Sequence, residues 1–191
     1  MSFTASEVKA MVAGYFRYKK QCPVVAFEAS NILMFATSEP ADVLVVTESR
    51  MLYEIEVKIS ISDLKNDIKK KKHWSFINRP NYLPVHKFYF AVPQDITDIA
   101  LDICNDLYPY AGLLSVTKFP FHSAAASFGV IPEKPPKHLN PKPLSLRQIV
   151  YMVKEQSGTL CRLARAAAVA DKKHKDALSE NCKLIEALKE E

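Results

Sequence analysis

The sequence predicts an α/β fold in which a central mixed sheet is flanked by helices, with a helical extension at the C-terminal end. The first observation is an alternation between apolar residues at helical spacing and short apolar runs typical of strands. The second is size, since 191 residues with 48% hydrophobic side chains suffice for one ordinary domain with a core. The third is a change of composition near residue 131, where prolines accumulate.

The first predicted elements are a helix and a strand. Thr4-Ala5-Ser6-Glu7 has the form of a capping box, and apolar residues at helical spacing follow it as far as Phe16. We therefore expect a helix over residues 4–20, which ends before Pro23 because proline cannot continue it. Residues 23–28 read as a strand with Glu28 at its end.

Two strands with different patterns follow. Residues 43–46 form an apolar run entered through Asp42, which suits a strand buried on both faces. Residues 52–58 alternate instead, so Glu54, Glu56 and Lys58 point to one face of the sheet. The polar residues 47–50 between them are predicted to form a short turn.

The remaining core elements complete the order helix, three strands, helix, strand, helix, strand. Residues 60–78 are predicted as one lysine-rich helix that begins at Ser60 or Ser62. Residues 87–93 are predicted as a strand closed by Pro93, residues 96–107 as a helix capped by Asp95, and residues 112–117 as a strand.

Three parts are predicted along the chain: an α/β domain over residues 1–130, a linker or strap over 131–144, and a helical extension over 145–191. Five prolines between residues 131 and 143 make the second part extended and semi-rigid. In the third part, residues 145–156 and 159–189 read as two helices separated at Gly158. Their partial apolar stripe makes a homodimer through the C-terminal helices possible.

Composition excludes several classes of function. The four cysteines are widely spaced and the five histidines scattered, so neither a disulfide framework nor a zinc site is expected. With four glycines the chain holds no glycine-rich phosphate loop and no nucleophile elbow. No apolar run indicates secretion or a membrane span, so we expect a cytoplasmic protein without membrane contact. The net charge of +5 favours polyanions as partners.

The acidic strand ending in Lys58 is the candidate for chemistry. The chain contains five acid-x-lysine triplets, and only Glu56-Val57-Lys58 lies on a predicted strand, where residues i and i+2 share a face. The other four lie on predicted helices, where i and i+2 point about 200° apart. They are Glu7-Val8-Lys9, Asp63-Leu64-Lys65, Asp67-Ile68-Lys69 and Asp171-Lys172-Lys173.

Asp42 decides whether the acidic strand is interpreted as a metal site or as an ordinary exposed strand. In a hairpin that turns near Glu48 and Ser49, Asp42 comes opposite Glu56 or next to it. Two neighbouring carboxylates repel each other unless a cation lies between them, and a divalent metal is a common cation there. Without Asp42 the alternation of glutamate and lysine is also typical of a strand with one solvent-facing side.

These residues carry a resemblance to a known superfamily. The order of elements and the Asp42, Glu56 and Lys58 pattern resemble the restriction-endonuclease-like PD-(D/E)xK nucleases, whose core order is αβββαβ. More narrowly, the chain over residues 5–117 is similar to the MmcB-like DNA-repair nucleases. The segments that carry this likeness are Ala41-Asp42-Val43, Glu54-Ile55-Glu56-Val57-Lys58-Ile59-Ser60, Asp63-Leu64-Lys65-Asn66-Asp67 and His86-Lys87-Phe88-Tyr89-Phe90-Ala91-Val92-Pro93.

The resemblance implies a metal-dependent deoxyribonuclease that acts in repair, recombination or a mobile element. Asp42, Glu56 and the backbone carbonyl of Val57 would hold Mg²⁺ or Mn²⁺, with Glu28 as an additional acid. Lys58 would orient the attacking water and contact the phosphate. Glu54 is expected to support the metal ligands or to face solvent.

DNA is expected to contact the lysines that follow the predicted site. Lys65, Lys69 and Lys72 are the candidates for phosphate contacts, against the alternative of a merely solvated helix face. A second function remains open, namely a nuclease-like fold that binds DNA or a protein partner and cuts nothing. A third is a structural protein whose helical extension drives assembly.

Overall fold

The computed structural model describes residues 3–29, 40–117 and 129–187, with side chains as far as residue 176. The helices are α1 (Ala5–Gly14), α2 (Ile61–Asn66), α3 (Lys71–Asn78), α4 (Thr97–Asp106) and α5 (Leu146–Ala187). The strands are β1 (Val24–Ala29), β2 (Ala41–Val46), β3 (Leu52–Val57), β4 (Val85–Pro93), β5 (Gly112–Val116) and β6 (Val130–Lys134). None of the helices in these residues combines the length and apolarity needed to cross a membrane.

The first helix begins where the capping box predicts. The Thr4 hydroxyl accepts a hydrogen bond from the Glu7 amide at 3.2 Å, and the Glu7 carboxylate accepts one from the Thr4 amide at 2.7 Å. These two bonds satisfy groups that a helix start otherwise leaves unpaired. The chain then continues past α1 in a π-helical turn over Tyr15–Lys19.

The strands form one six-stranded sheet in sequence order, from β1 to β6. The first three strands are antiparallel neighbours, β3, β4 and β5 run parallel, and β6 returns antiparallel to β5. Each parallel step needs a crossover, which α2 and α3 provide between β3 and β4, and α4 between β4 and β5. The predicted α/β class with a central mixed sheet is therefore confirmed.

Helices cover both faces of this sheet. On one face, Val8 and Val12 of α1 pack with Val43, Ile55 and other apolar residues of the alternating strands. On the other face, a larger cluster joins strand residues to the helices of the two crossovers and includes Leu44, Phe88 and Phe90. The core positions of β3 thus alternate between two apolar layers, and its two glutamates fall on the crossover side.

The helix predicted over residues 60–78 is broken in the structure. After α2 comes a 3-10 turn over Asp67–Lys69, and Lys70 adopts an extended backbone before α3 begins. Asp67 and Lys72 are both buried, yet five residues apart on a straight helix they would point about 140° away from each other. The break lets both side chains turn toward the sheet.

Two predictions for the C-terminal part are wrong. The edge strand β6 takes in residues 131–134 of the predicted linker or strap, and it tolerates Pro132 because an edge position leaves one side of the strand unpaired. The predicted break at Gly158 is absent, because Gly158 lies inside α5, which is 42 residues long. One glycine in a helix costs only about 1 kcal/mol relative to alanine.

The chain divides into two compact units, Met1–Val153 and Lys154–Glu191. The first unit extends beyond the predicted limit at residue 130. The reason is apolar burial, because Leu139, Leu144 and Met152 belong to the core of that unit. The second unit consists, in the residues that the structure describes, of the later turns of α5.

Candidate functional site at the ends of β2 and β3

The predicted site residues Glu56 and Lys58 lie together at the end of the central strand β3. The exposed fractions are 3% for Glu54, 2% for Glu56 and 5% for Lys58. Because Ile55 and Val57 pack in the apolar layer under α1, the alternating Glu54 and Glu56 face the crossover between β3 and β4. The alternative of a strand with one solvent-facing polar side, and of a solvent-facing Glu54, is therefore wrong.

Asp42 approaches the triplet through the backbone. Its Oδ2 accepts a hydrogen bond of 2.8 Å from the Val57 amide, in the middle of Glu56-Val57-Lys58. The observed register pairs Val43 with Ile55, the neighbours of Asp42 and Glu56, but the Asp42 side chain contacts α1 whereas that of Glu56 contacts lysines of the crossover. The second oxygen, Oδ1, lies 2.8 Å from the ammonium of Lys9 on α1.

Lys9 belongs to this site, although its triplet on a predicted helix gives no sequence signal for such a role. Its ammonium lies 3.0 Å from Oε1 of Glu28, so it joins two of the predicted metal ligands, Asp42 and Glu28. Burial alone would lower the pKa of Lys9, but the hydrogen bonds to Asp42 and Glu28 outweigh that effect and raise it. The Glu28 side chain is 72% exposed, at a residue with a positive φ of 47°.

The carboxylate of Glu56 is surrounded by ammonium groups. Lys72 donates to Oε1, Lys70 lies 3.0 Å from Oε2, and Lys58 lies 3.6 Å from the same oxygen. Burial alone would raise the pKa of Glu56, yet the charges of Lys72 and Lys70 hold this pKa below its usual range. Glu56 is therefore ionised, and both of its carboxylate oxygens have ammonium neighbours.

Lys72 is buried, so its predicted role as a DNA contact is wrong for this structure. It is 3% exposed, and its ammonium donates to Glu54 at 2.7 Å and to Glu56. Desolvation opposes the charged form, but the two glutamates raise the pKa of Lys72 above its usual value. The extended backbone at Lys70 directs this side chain inward.

Asp67 is the second acidic centre of the cluster and was not predicted. Its Oδ1 lies 2.6 Å from the Lys58 ammonium and 2.8 Å from that of Lys70, and Oδ2 lies 2.6 Å from Nε2 of His73. Nδ1 of His73 in turn meets the Tyr110 hydroxyl. Burial opposes ionisation of Asp67, but His73, Lys58 and Lys70 hold its pKa well below the usual range.

The only sequence signal for Asp67 was its position three residues after the inward-facing Leu64, where a helix presents the same side. That spacing does not show which cations come near Asp67. Lys58 reaches it from the end of β3, and His73 reaches it from beyond the break in the helix.

The charges of this cluster balance. Three buried carboxylates, Glu54, Glu56 and Asp67, face three ammonium groups, which belong to Lys58, Lys70 and Lys72. Asp63 stands outside this count, since its side chain is 55% exposed and 3.7 Å from Lys58. We call these six buried or half-buried side chains the ion-pair cluster.

The residues in this arrangement do not fit a divalent metal. Carboxylate and carbonyl oxygens are suitable donors for Mg²⁺, but both oxygens of Glu56 and both of Asp42 already have N–H or ammonium neighbours. Among the residues that the structure describes, no three histidine, cysteine or acidic side chains come together as metal ligands. A divalent cation at Glu56 would be repelled by the ammonium groups around it.

The same crossover also exposes lysines, one of which, Lys70, belongs to the ion-pair cluster as well. Lys65, Lys69 and Lys71 are exposed, and the Lys70 side chain is 28% exposed. The predicted contacts Lys65 and Lys69 thus reach solvent, and Lys69 donates to the Asn66 side chain at 2.9 Å. We call Lys65, Lys69, Lys70 and Lys71 the crossover lysine surface.

The comparisons with known proteins bear on the fold. No protein-family model matches the chain, and no curated protein matches it in sequence. A solved structure of a protein of unknown function from Silicibacter pomeroyi is similar, with a TM-score of 0.52 at 16% sequence identity. The match covers 87% of this chain and 92% of the other, which indicates a shared fold.

Proposed function

We propose that the protein binds DNA through the crossover lysine surface and that its nuclease-like acidic site is held in ion pairs. One observation carries this proposal, namely that the acids of this region are mostly buried whereas most of its lysines reach solvent. The acids Glu54, Glu56 and Asp67 are almost completely buried, whereas four lysines of the same region reach solvent beside a single exposed acid, Asp63. A phosphate backbone approaching this surface therefore meets positive charge.

Counterion release makes the proposal measurable. Each phosphate that a lysine neutralises releases condensed cations, so the affinity for duplex DNA falls with salt by a slope of about 0.9 per contact. We expect the combined Lys65→Ala, Lys69→Ala and Lys71→Ala variant to weaken binding to a labelled duplex and to reduce this slope by about 2 to 3. Fluorescence anisotropy at several salt concentrations measures both quantities.

A matched control removes the same charge elsewhere. Lys137, Lys142 and Lys154 are exposed, and replacing these three with alanine changes the net charge equally. If both triple variants lose the same affinity and slope, the effect belongs to net charge and the crossover lysine surface is not the binding site. Far-UV circular dichroism of each variant shows whether the fold is retained.

Metal-dependent DNA cleavage is the second candidate function. It is favoured by the hydrogen bond between Asp42 and the Val57 amide, which joins the first acid to the Glu56-Val57-Lys58 triplet at the ends of two adjacent strands. For this function a metal would have to displace lysines from Glu56. Mg²⁺ and Mn²⁺ stay predicted cofactors, and only the sequence resemblance supports them. The same holds for the roles that are predicted around the metal for five residues, namely Asp42, Glu56, Val57, Glu28 and Lys58.

A cleavage assay separates the two candidates. The wild-type chain is incubated with labelled single-stranded, duplex and branched DNA in the presence of Mg²⁺ or Mn²⁺. Binding without cleavage supports the first candidate, and cleavage that disappears in Asp42→Ala and in Lys58→Ala supports the second. Cleavage that persists in both variants contradicts the predicted active site. A gain in Tm on addition of Mn²⁺ that Asp42→Ala abolishes would independently indicate a metal site.

A further inference from the structure

A cleft at the other end of the sheet has no role in the function proposed above. It has a volume of about 410 Å³ and opens on the α1 face, where β3, β4 and β5 begin, away from Glu56 and Lys58. Its walls include four aromatic rings, which belong to Tyr15, Phe16, Tyr53 and Tyr89. This volume lies in the range of sites that bind small organic ligands.

The aromatic walls hold one another in place. The ring centroids of Phe16, Tyr53 and Tyr89 lie 6.1 to 6.3 Å apart in tilted and edge-to-face pairs. Gly112 is required beside Tyr89, because a Cβ at this position would lie 2.6 Å from Cδ1 of the ring. The wall is thus built by the sheet and by the turn that follows α1.

Two tyrosine hydroxyls of the wall, those of Tyr53 and Tyr89, have no hydrogen-bond partner among the residues that the structure describes. Across the described ranges, no side chain or backbone group accepts a hydrogen bond from Tyr53 or Tyr89. Burial raises the pKa of both phenols, so the hydroxyls stay protonated and can donate. A ligand with acceptor atoms would complete these hydrogen bonds.

The charged side chains that line the cleft are cations, whereas the acid Glu48 lies near Cys22 beside it. Lys20 lies 5.6 Å from the centre of the Tyr15 ring, and Lys87 lies 5.2 Å from that of Tyr53. Lys134 lines the cleft with its aliphatic chain only, because its ammonium donates a hydrogen bond of 2.7 Å to the Cys104 carbonyl. The described lining contains no carboxylate. An aromatic cleft rimmed in this way repels cationic ligands and favours an aromatic anion.

We propose that this cleft binds a nucleoside phosphate, with the base against the partly exposed rings of Tyr53 and Tyr89 and the phosphate at Lys20 and Lys87. Aromatic rings bind bases by stacking with little dependence on sequence, and ammonium groups bind phosphate as point charges. The nucleotide is either free in solution or a single nucleotide of a nucleic acid strand. Only the second source rests on the DNA binding proposed above.

Calorimetric titration of the full chain tests the proposal with deoxyadenosine 5′-monophosphate as the probe. We expect saturable binding of one equivalent, and binding at least about tenfold weaker for deoxyadenosine and for inorganic phosphate, because each lacks one half of the recognised chemistry. The double variant Lys20→Gln, Lys87→Gln should lose at least about tenfold in affinity. Tyr53→Phe removes one donor and should cost less.

The matched control is Lys69→Gln, Lys71→Gln, which removes equal charge from the crossover lysine surface and should leave nucleotide binding unchanged. Absence of saturable nucleotide binding in the wild-type chain overturns the proposal. Equal loss in the two double variants overturns it as well, because the effect would then follow net charge. Both double variants replace partly or fully exposed side chains, so they are expected to fold.

Competition identifies the source of the nucleotide. If the free nucleotide displaces a short labelled single strand, the cleft accepts a nucleotide of a strand. If it does not, while binding on its own, the ligand is the free nucleotide. If the crossover alanine variant loses duplex binding but still binds the nucleotide, the two ligands bind at separate sites. Failure of nucleotide binding alone leaves the proposed DNA binding untouched.

Discussion

At the scale of single residues, burial decides what each charged side chain can do. Glu54, Glu56 and Lys72 have the residue types of a surface strand and a basic helix, yet each is at most 3% exposed. A buried ion pair contributes little net stability when complete, whereas removing one partner leaves an uncompensated charge in the interior. The ion-pair cluster is therefore sensitive to single substitutions.

Lys72→Ala should be strongly destabilising. It removes the ammonium that two buried glutamates share, and we expect a loss of about 3–5 kcal/mol in the free energy of unfolding. Urea unfolding measures this loss. Lys71→Ala is the control because the neighbouring lysine is exposed, and its effect should stay within about 0.5 kcal/mol. Equal effects of the two substitutions would contradict the burial of Lys72.

Acid should weaken the fold through Asp67. Its folded pKa lies below the unfolded value of about 3.9, so its ionisation stabilises the fold above that value and this stabilisation is lost as the pH falls further. Glu56, whose pKa is also lowered, acts in the same direction. We expect Asp67→Asn to start from a lower stability and to lose less of it below about pH 4.

Unfolding midpoints at a series of acidic pH values give this slope for each variant. Asp63→Asn is the control, because the Asp63 side chain is more than half exposed and should keep the wild-type dependence. Indistinguishable slopes for Asp67→Asn and the wild-type chain would show that Asp67 does not carry the acid sensitivity.

At the scale of elements, local patterns predicted the helices and strands better than their ends. The capping box places the start of α1, and the alternation of residues 52–58 places β3. The break before α3 and the edge strand β6 were missed, because each depends on contacts with distant segments. Lys70 and Lys72 turn toward β3, and β6 pairs with β5.

Gly158 and Gly112 should respond oppositely to replacement by alanine. Gly158 lies within α5, and a Cβ there would meet no atom within 4 Å, so Gly158→Ala should stabilise the helix by about 1 kcal/mol. Gly112→Ala would force a Cβ against the Tyr89 ring and should destabilise the sheet by about 1–3 kcal/mol. Thermal unfolding followed by far-UV circular dichroism measures both, and stabilisation by Gly112→Ala would contradict the close packing.

At the scale of the whole molecule, the folded core extends past the predicted domain limit. Leu139, Leu144 and Met152 lie in the core of the first unit, and burying one such side chain contributes about 1.5–3 kcal/mol. Three of them together approach the free energy of unfolding of an ordinary domain, about 5–15 kcal/mol. The proline-rich segment therefore carries side chains that stabilise the domain.

Truncation should separate the two units. A chain that ends at residue 153 should unfold cooperatively near the wild-type midpoint, whereas one that ends at residue 130 should lose its sharp transition. Chemical denaturation followed by tyrosine and tryptophan fluorescence distinguishes these outcomes. Equal midpoints for both truncated chains would contradict the role assigned to the three apolar side chains.

The predicted homodimer through the C-terminal helices can be tested on the same truncated chain. Leu160 and Leu163 of α5 are 67% and 63% exposed in the single chain. Light scattering should give twice the chain mass for the full protein and a monomer for the chain ending at residue 153. A full-length monomer would contradict the dimer.

The sequence by itself determined the strands β1 to β5, the helices α1 and α4, their order and the approach of Asp42 to Glu56-Val57-Lys58. Those features follow from capping, from side-chain alternation and from the geometry of a short hairpin, which act over a few residues. Only the tertiary structure decided that the glutamates of β3 are buried in ion pairs. The lysines that neutralise Glu54 and Glu56 lie 14 to 18 residues further along the chain and reach them only because the helix is broken at Lys70.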